Sequence, residues 1–168
     1  RDLANLTRWV SRKFERTVSW QIVNLSAPVR DLHDAPILYI SGAGAPRFTD
    51  EDIAKLREFV LQGGVIFSEA ACNRASFTLA MKKIYARMFP EYELRRLPPD
   101  HPIYKLHFTI DRGGQILWGI SNGVRLLVIH APSQVSLAWQ LRRYAKERDI
   151  FQLGANIYFY VTDKGILA

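Results

Sequence analysis

Two side chains in this sequence could together do covalent chemistry: Cys72, the only cysteine, and His130, at the end of an apolar run. A thiol becomes a nucleophile when an imidazole takes its proton, so such a pair would carry out acyl transfer. The turn Gly42, Ala43, Gly44 could present backbone amides to the oxyanion that forms. Glu69 is the one carboxylate between Glu69 and Arg74, and Asp100 with His101 forms a second polar pair. Arg47 and Arg74 add two cations, which favour an anionic or hydroxyl-rich ligand. The expected site is catalytic at Cys72 and His130 and ligand-binding at Gly42, Gly44, Arg47, Glu69, Asn73, Arg74, Asp100 and His101.

The same residues have plainer readings. Free cysteines are among the most buried residue types, and a histidine at a strand end is often structural. Asp100 and Pro102 can form a rigid turn whose histidine bonds backbone. The glycine turn lacks the spacing of a phosphate loop, and Pro46, Arg47 and Phe48 interrupt its passage into a helix. His33, His101, His107 and His130 have no close ligand spacing, so neither a metal nor a cofactor is expected.

The elements that must position these residues read as α/β. Leu3, Leu6, Val10 and Phe14 recur at helical spacing, which predicts an amphipathic helix over residues 2–16 whose stripe needs a sheet to cover. Trp20 to Leu25 reads as a strand, followed by a loop to Pro36. Ile37 to Ile40 is apolar throughout, as expected of a parallel strand covered on both faces. Thr49 and the acids at 50–52 mark a helix start, and Gly63 with Gly64 its end. Val65 to Phe67 is the next strand, and Phe77, Met81, Ile84 and Met88 mark a helix stopped by Pro90. A strand at Gln115 to Ile120, a turn at Asn122 and Gly123, and a strand at Arg125 to His130 read as a hairpin. Leu137, Leu141 and Tyr144 suggest a helix. Ile150 to Val161 suggests the last one, with a strand at Ile157 to Val161 as the alternative.

At 168 residues and 48% hydrophobic content, one packed domain over residues 1–168 is expected. The chain begins at Arg1 without a signal-like segment, which suggests a domain excised from a longer protein. No apolar run is long enough to span a bilayer. The net charge of +7 is spread over three groups, Arg12/Lys13/Arg16, Lys82/Lys83/Arg87 and Arg142/Arg143/Lys146/Arg148. Each lies on a predicted helix with an apolar opposite face, so solvated helix surfaces are favoured over a nucleic-acid site.

Six stretches, taken in order, resemble the bacterial family called domain of unknown function 4159. They are Ile37 to Gly42, Phe48 to Ile53, Leu56 to Phe59, Gly63 to Phe67, Asp100 to Tyr104 and Leu153 to Ile157. The resemblance implies a flavodoxin-like three-layer sandwich with a mainly parallel sheet, in the class I glutamine amidotransferase-like group, and implies no known reaction. It also suggests a cell-envelope or secreted setting. Family members commonly carry acids just after the third strand and after the position of His130; here Glu69 is the only acid of the first run, and Gln134 occupies the second place. True glutamine amidotransferases flank the nucleophile with glycines and follow the histidine with a carboxylate, whereas Cys72 sits between Ala71 and Asn73, and Ala131, Pro132 and Ser133 follow His130.

In open parallel sheets ligands bind beyond the carboxyl ends of the strands. The chain is therefore expected to be a non-catalytic ligand-binding or interaction domain using that crevice, its partner a small ligand or another protein domain. The alternative is a cysteine-dependent amidohydrolase or amidotransferase relative.

Overall fold

A computed structural model describes residues 2–22, 24–110 and 116–163. It is mixed α/β, and the chain divides into two compact units, residues 1–22, 98–113 and 135–168, and residues 23–97 and 114–134.

The second unit holds a five-stranded sheet in the order β1-β2-β5-β4-β3. Its strands are β1 (Ile37–Gly42), β2 (Val65–Ala70), β3 (Arg95–Arg96), β4 (Trp118–Ser121) and β5 (Leu126–Ala131). β1, β2 and β5 pair in parallel, while β4 is antiparallel to both β5 and β3. Four of the five strands therefore run one way. Helices α3 (Asp50–Leu61) and α4 (Ala75–Met88) pack one hydrophobic cluster. Leu56, Phe59 and Val60 of α3 meet Phe77, Met81 and Tyr85 of α4 there, with Ile66 and Val128 from the sheet.

Local chemistry explains these boundaries. Thr49 accepts from the Asp52 amide while Asp52 accepts from the Thr49 amide, a reciprocal cap that starts α3. At its other end the Arg125 guanidinium donates to the carbonyls of Val60 and Gly64, placing a cation at the negative end of the helix dipole. Gly63, at φ 114°, makes the turn into β2. Asn122 closes the β4–β5 hairpin, its amide donating to the Arg125 carbonyl and its side-chain oxygen accepting from Val124 and Arg125.

The first unit is helical: α1 (Asp2–Phe14), α5 (Ser136–Gln140) and α6 (Arg148–Thr162), with a 3-10 turn at Pro102–Tyr104. The stripe of α1 is covered by helix rather than by the sheet its pattern suggests: Leu6, Val10 and Phe14 pack with Ala155 and Phe159 of α6. Asn156, fully buried on α6, organises the Ile103 to Phe108 segment of the same unit. Its amide donates to the carbonyls of Ile103 and Phe108, and its oxygen accepts from the amides of His107 and Phe108.

Several sequence expectations are corrected. Trp20 to Leu25 forms no strand among its described residues, Val23 lying outside them. Asn24 instead starts a turn, its oxygens accepting from Ser26 and Ala27, and the Leu25 carbonyl accepts from Lys55 Nζ. β1 is the sheet's edge, and Ile37 to Ile40 are half-buried rather than covered on both faces. The predicted loop to Pro36 contains a helical turn, α2 (Val29–Leu32). Gln115, the expected start of β4, lies outside the described residues. The helix at Leu137 stops at Gln140, and Ile157 to Val161 is helical.

Replacing Asn156 with leucine should strand four backbone groups at once. A loss of about 3 kcal/mol or more in urea unfolding is expected, against about 1 for a change at the half-buried neighbour Gln152, Gln152→Leu.

Candidate functional site

The registers of the parallel strands bring the expected residues to the carboxyl edge of the sheet in rows. Ile40, Ser68 and His130 are side by side, and so are Ser41, Glu69 and Ala131. Successive strand residues point to opposite faces. Glu69 therefore shares a face with Ser41 and Tyr39, and His130 shares the other with Ser68 and α4. The expected single crevice is thus split: the sheet itself lies between the carboxylate and the imidazole.

On the α4 face a buried chain of hydroxyls surrounds His130. Tyr85 donates its phenol proton to Ser68 Oγ at 2.7 Å, Ser68 Oγ lies 2.7 Å from His130 Nδ1, and Thr78 Oγ1 lies 3.0 Å from Nε2. The chain is consistent in direction when Ser68 donates to Nδ1 and Nε2–H donates to Thr78. Burial pushes the His130 pKa down to about 4, with the Lys82 ammonium adding to the fall. Burial also raises the Tyr85 phenol, opposed by its bond to Ser68. The imidazole is neutral at pH 7 and both its nitrogens are occupied. On the other face Glu69, fully buried, accepts from the Tyr39 hydroxyl at 2.8 Å and from Ser41 Oγ at 3.4 Å.

Cys72 is exposed. It lies in a 3-10 turn, Ala71–Asn73, that leads from β2 toward α4. Cys72 and Asn73 have φ of 53° and 54°, the left-handed region, which asparagine tolerates better than cysteine. The flanking glycines of an amidotransferase elbow are absent, yet two consecutive residues adopt this backbone. A clasp from Gln134 accompanies it: the Cys72 amide donates to Gln134 Oε1 at 2.9 Å, and the Gln134 amide donates to Asn73 Oδ1 at 2.6 Å. No bond joins Cys72 to His130, whose partners are Ser68 and Thr78.

Gly42 ends β1 beneath Phe77, whose ring atoms would lie 2.6 and 2.7 Å from an added Cβ, so its role is close packing. The Ala43 carbonyl accepts from Ser76 Oγ of α4, whereas Gly44 has open space around it. Arg47 and Arg74 are both exposed, Arg74 at the start of α4. Asp100 and His101 belong to the first unit. There His101 Nδ1 accepts from the Ile103 amide at 3.2 Å, and its ring lies 5.5 Å from that of Tyr160, so the histidine does bond backbone in a proline turn. Burial lowers its pKa, and Asp100 opposes the fall. No group of three or more His, Cys, Asp or Glu that could hold a metal occurs among the described residues.

A family model described as domain of unknown function (DUF4159) matches residues 1–162, and so runs through both units. The chain belongs to this family. A search of curated proteins finds no match. The stretches of this DUF4159 chain that resemble the family have structural work in the fold. Asp100 to Tyr104 is the His101 turn, and Leu153 to Ile157 carries Asn156, which anchors it through Ile103. Thr78, Tyr85 and the clasp role of Gln134 have no signal in the sequence, because each depends on which strand pairs with which.

His130 sets a pH dependence of stability. An unfolded histidine titrates near 6.5, above the folded value of about 4, so the unfolded state binds more protons between these limits. Stability is full above about pH 6.5 and falls as pH drops toward 4, by up to about 1.4 kcal/mol per pH unit. His101 adds to the fall with the same sign. Urea midpoints from pH 7.5 to 4.5 should fall more steeply in the wild type than in His130→Gln, which starts lower at neutral pH.

Proposed function

We propose that this domain is a non-catalytic ligand-binding or interaction module of a flavodoxin-like, class I glutamine amidotransferase-like fold. Its binding surface is the rim beyond the carboxyl ends of β1 and β2. The observation that carries the non-catalytic part is the engagement of both His130 nitrogens by Ser68 and Thr78. A base that is buried, neutral and doubly bonded has no lone pair to offer a thiol. The fold reading is supported by the common direction of four strands and by the β1-α3-β2 and β2-α4 connections.

The rim is polar and exposed at Ser41, Arg47, Asn73, Arg74 and Ser76, with Glu69 buried behind its first row. Two arginines favour a ligand bearing carboxylate, phosphate or many hydroxyls, which can accept from guanidinium forks. Asp100 and His101 are not needed for this reading.

The second reading, a cysteine-dependent amidohydrolase or amidotransferase relative, is favoured by one feature: an exposed thiol at a left-handed residue just after a central strand. Alkylation separates the two. Iodoacetamide should modify Cys72 in the folded protein at the rate of an ordinary exposed thiol, and His130→Gln should leave that rate unchanged. Fast modification near neutral pH, abolished by the variant while circular dichroism stays native, would establish the enzyme reading instead. For the binding reading, a thermal-shift screen of sugar phosphates and dicarboxylates should find a stabilising ligand in the wild type, and the Arg47→Ala/Arg74→Ala pair should weaken it at least tenfold.

A further inference from the structure

The three basic groups of the chain differ in their surroundings. Arg16 pairs with Asp163 and lies over the Phe159 ring. Lys82 sits 4.2 Å above the Trp118 ring, and Arg87 pairs with Asp50. The third group, at the junction of α5 and α6, is interleaved with exposed apolar side chains. Leu137 is 40% exposed, Leu141 50% and Tyr144 37%, among Arg142, Arg143, Lys146 and Arg148.

The backbone places Leu137 and Leu141 together on the outside of the first unit, and Tyr144, whose ring lies 4.7 Å from that of Phe151, follows in the chain with the cations. Ser136, Ala138 and Trp139 of α5 are buried, which turns Leu137 outward. The Leu141 amide donates to the Leu137 carbonyl, so the two leucines are one helical turn apart on one side. Arg142, at φ 52°, then bends the chain, its Nε donating to Asn5 of α1. The Glu147 amide donates to the Arg143 carbonyl, continuing the turns through Tyr144 and Lys146 into α6. Arg143 pairs with Glu147, while Lys146 and Arg148 are exposed.

Net charge is concentrated in the same unit. Its residues include twelve Lys and Arg against seven Asp and Glu, a net +5 of the chain's +7. What sets this group apart is two exposed leucines one turn apart followed by four cations in the unit that carries most of the net charge, and leucines gain nothing against nucleic-acid phosphates. They suit an interface in which apolar side chains enter acyl chains while lysine and arginine reach anionic headgroups.

We infer that the face formed by Leu137, Leu141, Tyr144, Lys146 and Arg148 docks on an anionic membrane surface. Attachment would be peripheral, since among the described residues no helix is long and apolar enough to cross a membrane. None of these residues belongs to the rim of the proposed binding site, so the two ideas stand or fall separately.

Co-sedimentation of the intact chain with vesicles tests it. The protein should pellet with phosphatidylcholine vesicles containing a third phosphatidylglycerol and stay in solution with phosphatidylcholine alone. Lys146→Glu/Arg148→Glu should reduce partitioning roughly tenfold or more, and raised salt should do the same. Leu137→Ser/Leu141→Ser, which keeps every charge, should weaken binding by a similar factor. Both pairs change exposed side chains, and unaltered melting temperatures would show that the fold survives. The inference is overturned if anionic vesicles are not bound, or if the leucine pair binds them as well as the wild type. It is equally overturned if duplex DNA is bound and displaces the vesicles while the leucine pair retains that DNA binding, which would make the face a nucleic-acid surface.

Discussion

The structure turns on the burial of β2 and β5. All six positions of each strand are covered, yet these strands carry Ser68, Glu69 and His130. Nothing polar at such positions can rely on water, so each group must find its partners inside. Ser68 and His130 do so through Tyr85 and Thr78, and Glu69 through Tyr39 and Ser41. Among the described residues no buried side-chain nitrogen or oxygen lacks a partner. This requirement fixes how α4 lies on the sheet, because its Thr78 bonds the histidine and its Tyr85 bonds Ser68. It also engages both ring nitrogens of the histidine, one with Ser68 and one with Thr78.

The same constraint separates what was legible in the sequence from what was not. The α3 boundaries could be read because their causes are local: a capping pair three residues apart, and a glycine that takes positive φ. The hairpin at Asn122 is local as well. Trp20 to Leu25 has the composition of a strand, but a strand exists only with a neighbour, and at its end the Asn24 and Leu25 carbonyls accept from the Ala27 amide and from Lys55 instead. Ile22 remains 88% exposed as a result. Ile157 to Val161 shows the reverse: high β propensity yields to helix, because residues three and four apart around Asn156 pack against α1 and the His101 turn.

At the site, residue identities were readable and their relations were not. Sequence places Glu69, Cys72 and His130 near the same strand ends, which is correct. Which face each side chain takes depends on register, and register here aligns Ser68 with His130 and so puts Glu69 opposite. The missing glycines beside Cys72 argued against a left-handed elbow. The backbone adopts it anyway, with Gln134 bonded to both residues of the turn.

That clasp bears on what the turn can do. A cysteine and an asparagine in the left-handed region cost about 1 kcal/mol each relative to glycine, a cost that two hydrogen bonds of ordinary strength offset. The bonds run from the β2–α4 turn to the exit of β5, so they lock the turn to the sheet's parallel core. A nucleophile elbow needs the thiol side of such a turn to face a base. Here the turn is held by its backbone amide and by Asn73, while the base has been drawn into the core by Ser68 and Thr78. The turn and the imidazole are thus held by separate sets of hydrogen bonds, one at the exit of β5 and one inside the core, while Arg47 and Arg74 are exposed.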